Sequence, residues 1–216
     1  MNIVLFGPPG AGKGTQAENL VDEFNFFRVS TGDLLRIETE KKSLLGNKIK
    51  ETIDRGLFVS DNIINELIEK ILLNKKYFNR LIFDGYPRNL KQASYLDSLI
   101  KKYKQKISCV LSLKVDQDVI IKRIVGRQVC SRCHSIFNEF FNPATKANHS
   151  CDSKFLKKRS DDNENTIKNR FFTYEKETLP ILGYYKNQNL LYEIDGMSNI
   201  STIYKEIQRI IQSLDT

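Results

Sequence analysis

The chain has 216 residues, of which 40% are hydrophobic and 28% charged, so it is long enough for one core with small insertions and has the composition of a globular protein. No apolar run reaches the roughly 18 residues of a membrane helix, and the first run is too short for a secretion signal, so we expect a cytoplasmic protein with no membrane partner. The net charge of +8 suits a phosphorylated ligand, and because no known nucleic-acid module is recognisable, we expect no nucleic-acid partner.

A glycine-rich turn follows the first apolar run, residues 3–6, which has the length of a buried strand. The turn, residues 7–13, fits G-x-x-x-x-G-K, a pattern in which backbone N–H groups and the charge of Lys13 cradle a polyphosphate. Apolar residues at helical spacing come next: Ala17, Leu20, Val21 and Phe24. The strict pattern requires Ser or Thr after the lysine, whereas here Gly14 stands there and Thr15 follows. A plain Gly-Pro turn is the alternative, but the strand, turn and helix context favours a nucleoside triphosphate site.

The next segment predicts a parallel α/β sheet with a helical insertion. Residues 26–30 form a second short apolar run, which favours the unit strand, phosphate loop, helix and strand. The pattern is then polar and helical until Ser60 or Asp61, either of which is the expected N-cap of another helix. We therefore predict that residues 30–60 are a small helical insertion between core elements.

Two charged residues follow the third predicted strand, residues 81–84. Asp84 ends this strand, and Arg88 comes four residues later. Because ligands bind at the carboxyl ends of strands in open α/β sheets, both side chains should lie beside Lys13. An acid in this place indicates a partner for Mg²⁺, held through water, and a turn or capping role is the alternative.

The rest of the chain completes the sheet and adds a second insertion. Residues 109–115 and 190–194 have the apolar content of two further strands, and Arg123 and Arg127 share one face of the helix between them. From residue 130 to about residue 159, cysteines, both histidines and several phenylalanines indicate an inserted small domain. We therefore predict an α/β protein of the P-loop NTPase fold, with a five-stranded parallel sheet flanked by helices and two insertions.

Five motifs in order make the chain resemble the adenylate kinases over nearly its full length. They are residues 7–15, 30–33, 84–88, 123–127, and 159–162 with Arg170. Gly14 is normal in that family, so the departure from the strict phosphate-loop pattern becomes supporting evidence. The resemblance implies a core of residues 1–29, 61–125 and 164–216, an AMP-binding domain of residues 30–60, and a long-form lid of residues 126–163.

The resemblance also implies the reaction, which is a reversible, Mg²⁺-dependent phosphoryl transfer between ATP and AMP that gives two ADP. We expect direct transfer in a monomer, without a covalent enzyme intermediate. Such a transfer needs aligned reactants, neutralised phosphate oxygens and exclusion of water. Arginine suits this task because its fork binds two phosphate oxygens at once.

Each matching side chain receives a role from the resemblance. The ATP side comprises Gly10, Ala11, Gly12, Lys13, Gly14, Thr15, Arg123 and Arg127, with Arg123 near the adenine. The AMP side comprises Thr31, Arg36, Gly85, Arg88, Gln92, Arg159 and Arg170. Catalysis is implied for Lys13, Arg88, Arg127, Arg159 and Arg170. Asp33 and Asp84 would orient water bound to Mg²⁺.

Three of the four cysteines lie in the predicted lid and suggest a metal rather than a disulfide framework. Cys130-x-x-Cys133 followed by Cys151 is half of a zinc ribbon plus one further ligand. We therefore predict a structural Zn²⁺ that folds the lid and takes no part in the chemistry. A lid that has kept its thiols without a metal is the competing interpretation.

The fourth zinc ligand is ambiguous in the sequence. Zinc-binding lids of the family carry Cys or Asp at the last ligand position, where this chain has Lys154. We predict Asp152 as the fourth ligand, with His149 as the alternative and His134 as a further candidate.

Two other functions stay open. A nucleoside monophosphate kinase of other specificity would share the phosphate loop and residues 84–88, although Thr31, Gln92 and the long lid favour AMP. A switch-type GTPase or a nucleic-acid-dependent ATPase is the rival from another class. Against it stand Gly14, the monophosphate insertion and the lack of a guanine-reading Asn-Lys-x-Asp motif.

Overall fold

A parallel five-stranded sheet forms the centre of a computed structural model that describes residues 1–41, 43–159 and 161–214. The strands of the chain are β1 (Asn2–Phe6), β2 (Phe27–Ser30), β3 (Leu81–Asp84), β4 (Ile107–Lys114), β5 (Arg127–Cys130), β6 (Ile136–Asn138), β7 (Leu156–Lys157) and β8 (Leu191–Asp195). The order in the large sheet is β2-β3-β1-β4-β8. The predicted five-stranded parallel sheet is therefore confirmed. Ser160, in the fifth motif, lies outside the described residues.

Helices cover both faces of this sheet. They are α1 (Lys13–Phe24), α2 (Thr31–Glu40), α3 (Leu44–Asp54), α4 (Asp61–Leu72), α5 (Leu90–Lys102), α6 (Gln117–Val125), α7 (Glu164–Thr173), α8 (Pro180–Lys186) and α9 (Ile200–Leu214). Alternate residues of β1 serve the two sides: Ile3 and Leu5 pack with α1 and α9, whereas Val4 and Phe6 pack with α4, α5 and α8. This two-sided burial explains why the strand reads as a continuous apolar run.

The strand register brings the functional loops to one edge of the sheet. Asp84, the last residue of β3, lies opposite Leu5 of β1 and Ser30 of β2. All these strands run in the same direction, so the loops that follow them meet at their carboxyl ends.

The two insertions have different structures. α2 and α3 occupy the predicted AMP-binding segment. Within the predicted lid, β5, β6 and β7 form a small antiparallel sheet in the order β6-β5-β7. The division of the chain into three domains stays a prediction. None of the described helices has both the length and the apolar content needed to cross a membrane.

A buried tyrosine gives a test of the packing. Tyr185 is fully buried with its ring centroid 6.0 Å from that of Phe6, and its hydroxyl has no hydrogen-bond partner among the described residues. The adjacent Tyr184 is different, since its hydroxyl donates to Oδ2 of Asp97 at 2.7 Å.

Tyr185→Phe is therefore expected to raise the free energy of unfolding by about 1 kcal/mol, because it removes a desolvated hydroxyl without removing a bond. The matched control Tyr184→Phe should lower it by about 1 kcal/mol, because it does remove a bond. Urea denaturation measures both. A less stable Tyr185→Phe variant would contradict the assignment.

Candidate active site

A cleft of about 1390 Å³ opens at the carboxyl ends of the parallel strands. Single small-molecule sites occupy about 300–1,000 Å³, so this cleft has room for two nucleotide-sized ligands. Its walls come from the loop after β1, the α2–α3 segment, the turn after β3 and the lid strands. The space therefore joins the regions in which the sequence motifs lie.

The loop after β1 forms one wall. Gly12, directly before α1, has φ 95°, a conformation that residues with a side chain rarely adopt. The ammonium of Lys13 donates to the carbonyl oxygens of Gly7 at 2.7 Å and Pro8 at 3.0 Å. Burial lowers the pKa of Lys13 to about 8, so this ammonium lies in a place that an additional anion would stabilise.

Cations converge on the cleft. Eight lysine and arginine side chains of the described residues line it: Lys13, Arg28, Arg36, Arg88, Arg123, Arg127, Arg159 and Arg170. Burial, and after it the neighbouring Arg170, lowers the pKa of Arg88 to about 10. Burial and then Arg127 lower the pKa of Arg159 to about 10. Both guanidiniums are still charged at neutral pH, so the cleft suits a multiply charged anion.

Asp33 joins three of these arginines. Its carboxylate accepts from Arg36 at 2.7 Å and lies 3.5 Å from both Arg28 and Arg159. Burial opposes ionisation of Asp33, but Arg36 and the other donors lower its pKa to about 2. Arg159 follows the lid strands and Asp33 lies in α2, so this carboxylate connects the two insertions.

Two further aspartates each pair with one more arginine of the cleft. Asp162 pairs with Arg127 through both oxygens. Asp161 pairs with Arg170 and lies 3.8 Å from Arg36. Carboxylates on neighbouring segments thus orient Arg127 and Arg170.

Asp84 lies in the cleft, as its position at the end of β3 predicts. Its Oδ2 accepts from Nε and Nη2 of Arg28 at 3.1 and 2.7 Å. The sequence analysis did not identify Arg28 as a site residue. Strand alternation is the signal that could have found it, since Arg28 and Ser30 share one face of β2.

Thr31 and Gln92 are buried and do not line the cleft. The hydroxyl of Thr31 donates to the carbonyl of Gly85 at 2.8 Å. Gln92 donates to Asp61 at 2.7 Å and accepts from the backbone N–H of Arg88 at 2.8 Å. The geometry therefore gives both residues a contact with the turn after β3, and their contact with AMP stays a prediction.

Arg123 and Phe141 contact each other at the wall of the cleft. The guanidinium of Arg123 is 5.6 Å from the centroid of the Phe141 ring and donates to the carbonyl of Gly196 at 2.9 Å. The sequence analysis predicted Arg123 near the base but gave Phe141 no role.

Comparison with known proteins gives one family. The adenylate kinase family model matches residues 5–190. The chain belongs to the adenylate kinase family. The chain is similar to curated adenylate kinases along nearly its full length. It is 46% identical to that of Pelagibacter ubique, over 98% of this chain and 100% of the relative. It is 40% identical to that of Nitrosococcus oceani, over 99% of each chain, and 37% identical to that of Enterococcus faecalis, over 98% of this chain and 99% of the relative.

Family membership confirms several predictions from the sequence. The resemblance based on the five motifs, the P-loop NTPase fold and the phosphotransferase activity are all confirmed. Adenylate kinases use Mg²⁺, which makes it the cofactor of this enzyme too. The individual roles of the predicted site residues stay predictions.

The predicted lid, residues 126–163, contains a cluster of metal-ligating side chains. Ligand atoms of Cys130, Cys133, His149 and Cys151 all lie within 4.8 Å of one another. Nε2 of His149 is buried without a hydrogen-bond partner among the described residues, and a bond with Ser135 helps lower the pKa of Cys133 to about 6. Three thiols and one imidazole form a tetrahedral zinc set, so the cluster is compatible with the predicted structural Zn²⁺.

The cluster corrects the predicted fourth ligand. Asp152 is not part of it, because its Oδ1 accepts from the backbone N–H of Lys154 at 2.9 Å and caps a short 3-10 turn. The alternative, His149, occupies the fourth position. His134 also lies outside the cluster.

Metal analysis distinguishes the two ligands. Purified protein should contain about one equivalent of zinc, and His149→Ala should bind it at least about tenfold more weakly, because one of four ligands is lost. Asp152→Ala is the matched control and should keep full occupancy. Zinc below about a tenth of an equivalent in the wild type, or equal loss in both variants, would contradict the assignment.

Proposed function

We propose that this enzyme transfers the terminal phosphoryl group of Mg²⁺-bound ATP directly to AMP, giving two ADP, while the nucleotides lie tail to tail in the cleft. The observation that carries this proposal is that eight cations of the described residues converge on one space of about 1390 Å³. Two polyphosphate tails repel each other, and fixed guanidiniums offset that repulsion.

The ATP side lies at the loop after β1. Backbone N–H groups of residues 10–15 and the ammonium of Lys13 bind the phosphates. The adenine packs against Arg123 and Phe141, which contact each other and both line the cleft. Arg127, fixed by Asp162, faces the terminal phosphoryl group.

The AMP side lies between α2 and the turn after β3. Arg36 and Arg88 bind the AMP phosphate, and Gly85 provides close backbone approach. Nε of Arg88 donates to the carbonyl of Gly85 at 2.7 Å, and a Cβ atom on Gly85 would lie 3.0 Å from Nη2 of Arg88, so the guanidinium lies directly over this glycine. Thr31 and Gln92 hold this turn in place from behind, and their contact with the AMP base stays a prediction.

The transfer needs no enzyme nucleophile. Positioning of the reactants and neutralisation of their charge accelerate the transfer, because the phosphoryl group passes through a loose transition state. Lys13 and Arg88 flank the migrating group, and Arg127, Arg159 and Arg170 close over it.

When bound, Mg²⁺ would neutralise charge that develops on the phosphate oxygens. Asp84 and Asp33 would hold it through water. Asp84 fits that task because Arg28 occupies only its Oδ2, and Oδ1 has no hydrogen bond to a described residue.

The three predicted domains belong to the same proposal. The pair between Arg159 and Asp33 spans the two insertions, so movement of the lid and of the AMP-binding segment exposes or closes the cleft. One chain supplies every group needed, which supports a monomer. We place the enzyme in the cytoplasm, with no nucleic-acid or membrane partner.

The test is to mix purified protein, Mg²⁺, ATP and AMP and to measure ADP. Two ADP should form per AMP consumed, with CMP, UMP and GMP much poorer acceptors. ATP hydrolysis that AMP does not affect, or that RNA stimulates, would overturn the proposal in favour of a nucleic-acid-dependent ATPase.

Arg88→Ala should lower turnover by at least about a hundredfold, because Arg88 touches both the acceptor phosphate and the migrating group. Arg80→Ala, at an exposed arginine outside the cleft, is the control and should stay near wild type. Steady-state ADP formation measures both. Turnover of Arg88→Ala within tenfold of wild type would reject its role.

A further inference from the structure

Arg28 lies at the meeting point of three carboxylates. Its guanidinium is 2.7 Å from Asp84, 3.5 Å from Asp33 and 3.6 Å from Glu18. The side chain is only 18% exposed. A buried monovalent cation thus stands among the acids that the proposed function assigns to Mg²⁺.

The guanidinium is held in one orientation. Nε and Nη2 both donate to the same oxygen of Asp84. A Cβ atom on Gly14 would lie 2.9 Å from Nη2, so the guanidinium fills the space beside the residue that follows Lys13. Phosphate loops of the strict pattern carry a Ser or Thr hydroxyl for Mg²⁺ at that residue. In this chain the same region holds a guanidinium.

The guanidinium of Arg28 neutralises the carboxylates around it. Burial would lower the pKa of Arg28, but Asp84, Asp33 and Glu18 raise it above its ordinary value. Without the guanidinium, the acids would repel one another and attract a divalent cation. With it, their charge is largely neutralised before any metal arrives.

We propose that Arg28 is a positioning residue that occupies the carboxylates in the nucleotide-free enzyme, so that divalent metal enters only together with the nucleotide. This inference rests on the proposed roles of Asp84 and Asp33. Arg28 also keeps Asp84 in a fixed orientation, with its second oxygen free to accept from metal-bound water.

The experiment measures Mn²⁺ binding to the nucleotide-free, zinc-loaded protein by electron paramagnetic resonance. A pH of 8 keeps Glu18 ionised, since burial raises its pKa to about 7. Arg28→Gln should bind one Mn²⁺ at least about tenfold more tightly than wild type, because a positive charge beside the metal is lost. Arg28→Lys, which keeps the charge, should resemble wild type. Arg209→Gln, at an exposed arginine on α9, is the matched control and should not change binding.

A double variant locates the metal. Arg28→Gln combined with Asp84→Asn should lose the gained affinity, because the anchoring carboxylate is gone. Thermal melting checks that each variant is folded, and Arg28→Met gives the same comparison if Arg28→Gln does not fold.

Equal Mn²⁺ binding by wild type and Arg28→Gln would overturn the inference. Weaker ATP or AMP binding in Arg28→Gln with unchanged Mn²⁺ binding would overturn it too, and would make Arg28 a phosphate ligand. Formation of ADP by the wild-type enzyme tests the proposed function separately, so the two failures are distinguishable.

Discussion

Repulsion among like charges is the constraint on which this structure depends. Among the described residues, eight cations face one cleft, and burial strengthens their mutual repulsion because little water screens it. Three aspartates, Asp33, Asp161 and Asp162, form ion pairs with five of the arginines. These carboxylates offset the repulsion between the cations. In the proposed function, phosphates that enter the cleft compete for the same guanidiniums, which couples ligand binding to the positions of the two insertions.

The sheet and the predicted lid are stabilised in different ways. The parallel sheet has both faces covered, so its apolar strands fix the ends of β1 and β3 rigidly and place Lys13 and Asp84 in one cleft. The lid is a segment of under forty residues with three short strands, too small for a sizeable core. The cluster of three thiols and an imidazole is compatible with Zn²⁺, and we propose that such a metal supplies what packing cannot. In the proposed function the metal is structural, and the chemistry belongs to the arginines.

The sequence predicts those features that rest on regular patterns. Apolar strand runs, the glycine-rich turn and the acid at the end of β3 follow from period and position, and the structure has them at the expected places. Three features do not follow. β7 has two residues, too few for any period. The choice between His149 and Asp152 depends on a local cap at Lys154, which only the backbone path reveals. Arg28 looks like a single charge in a strand until its three carboxylate neighbours are known.

The central claim is that two nucleotide sites face each other across one set of cations. Calorimetric titration with two adenosines joined through a chain of five phosphates tests it most directly, because that ligand fills both sites only if they share one cleft. The account predicts one ligand per chain, bound at least about a hundredfold more tightly than ATP, since the second binding event becomes intramolecular. Two ligands per chain, or an affinity no better than that of ATP, would contradict it.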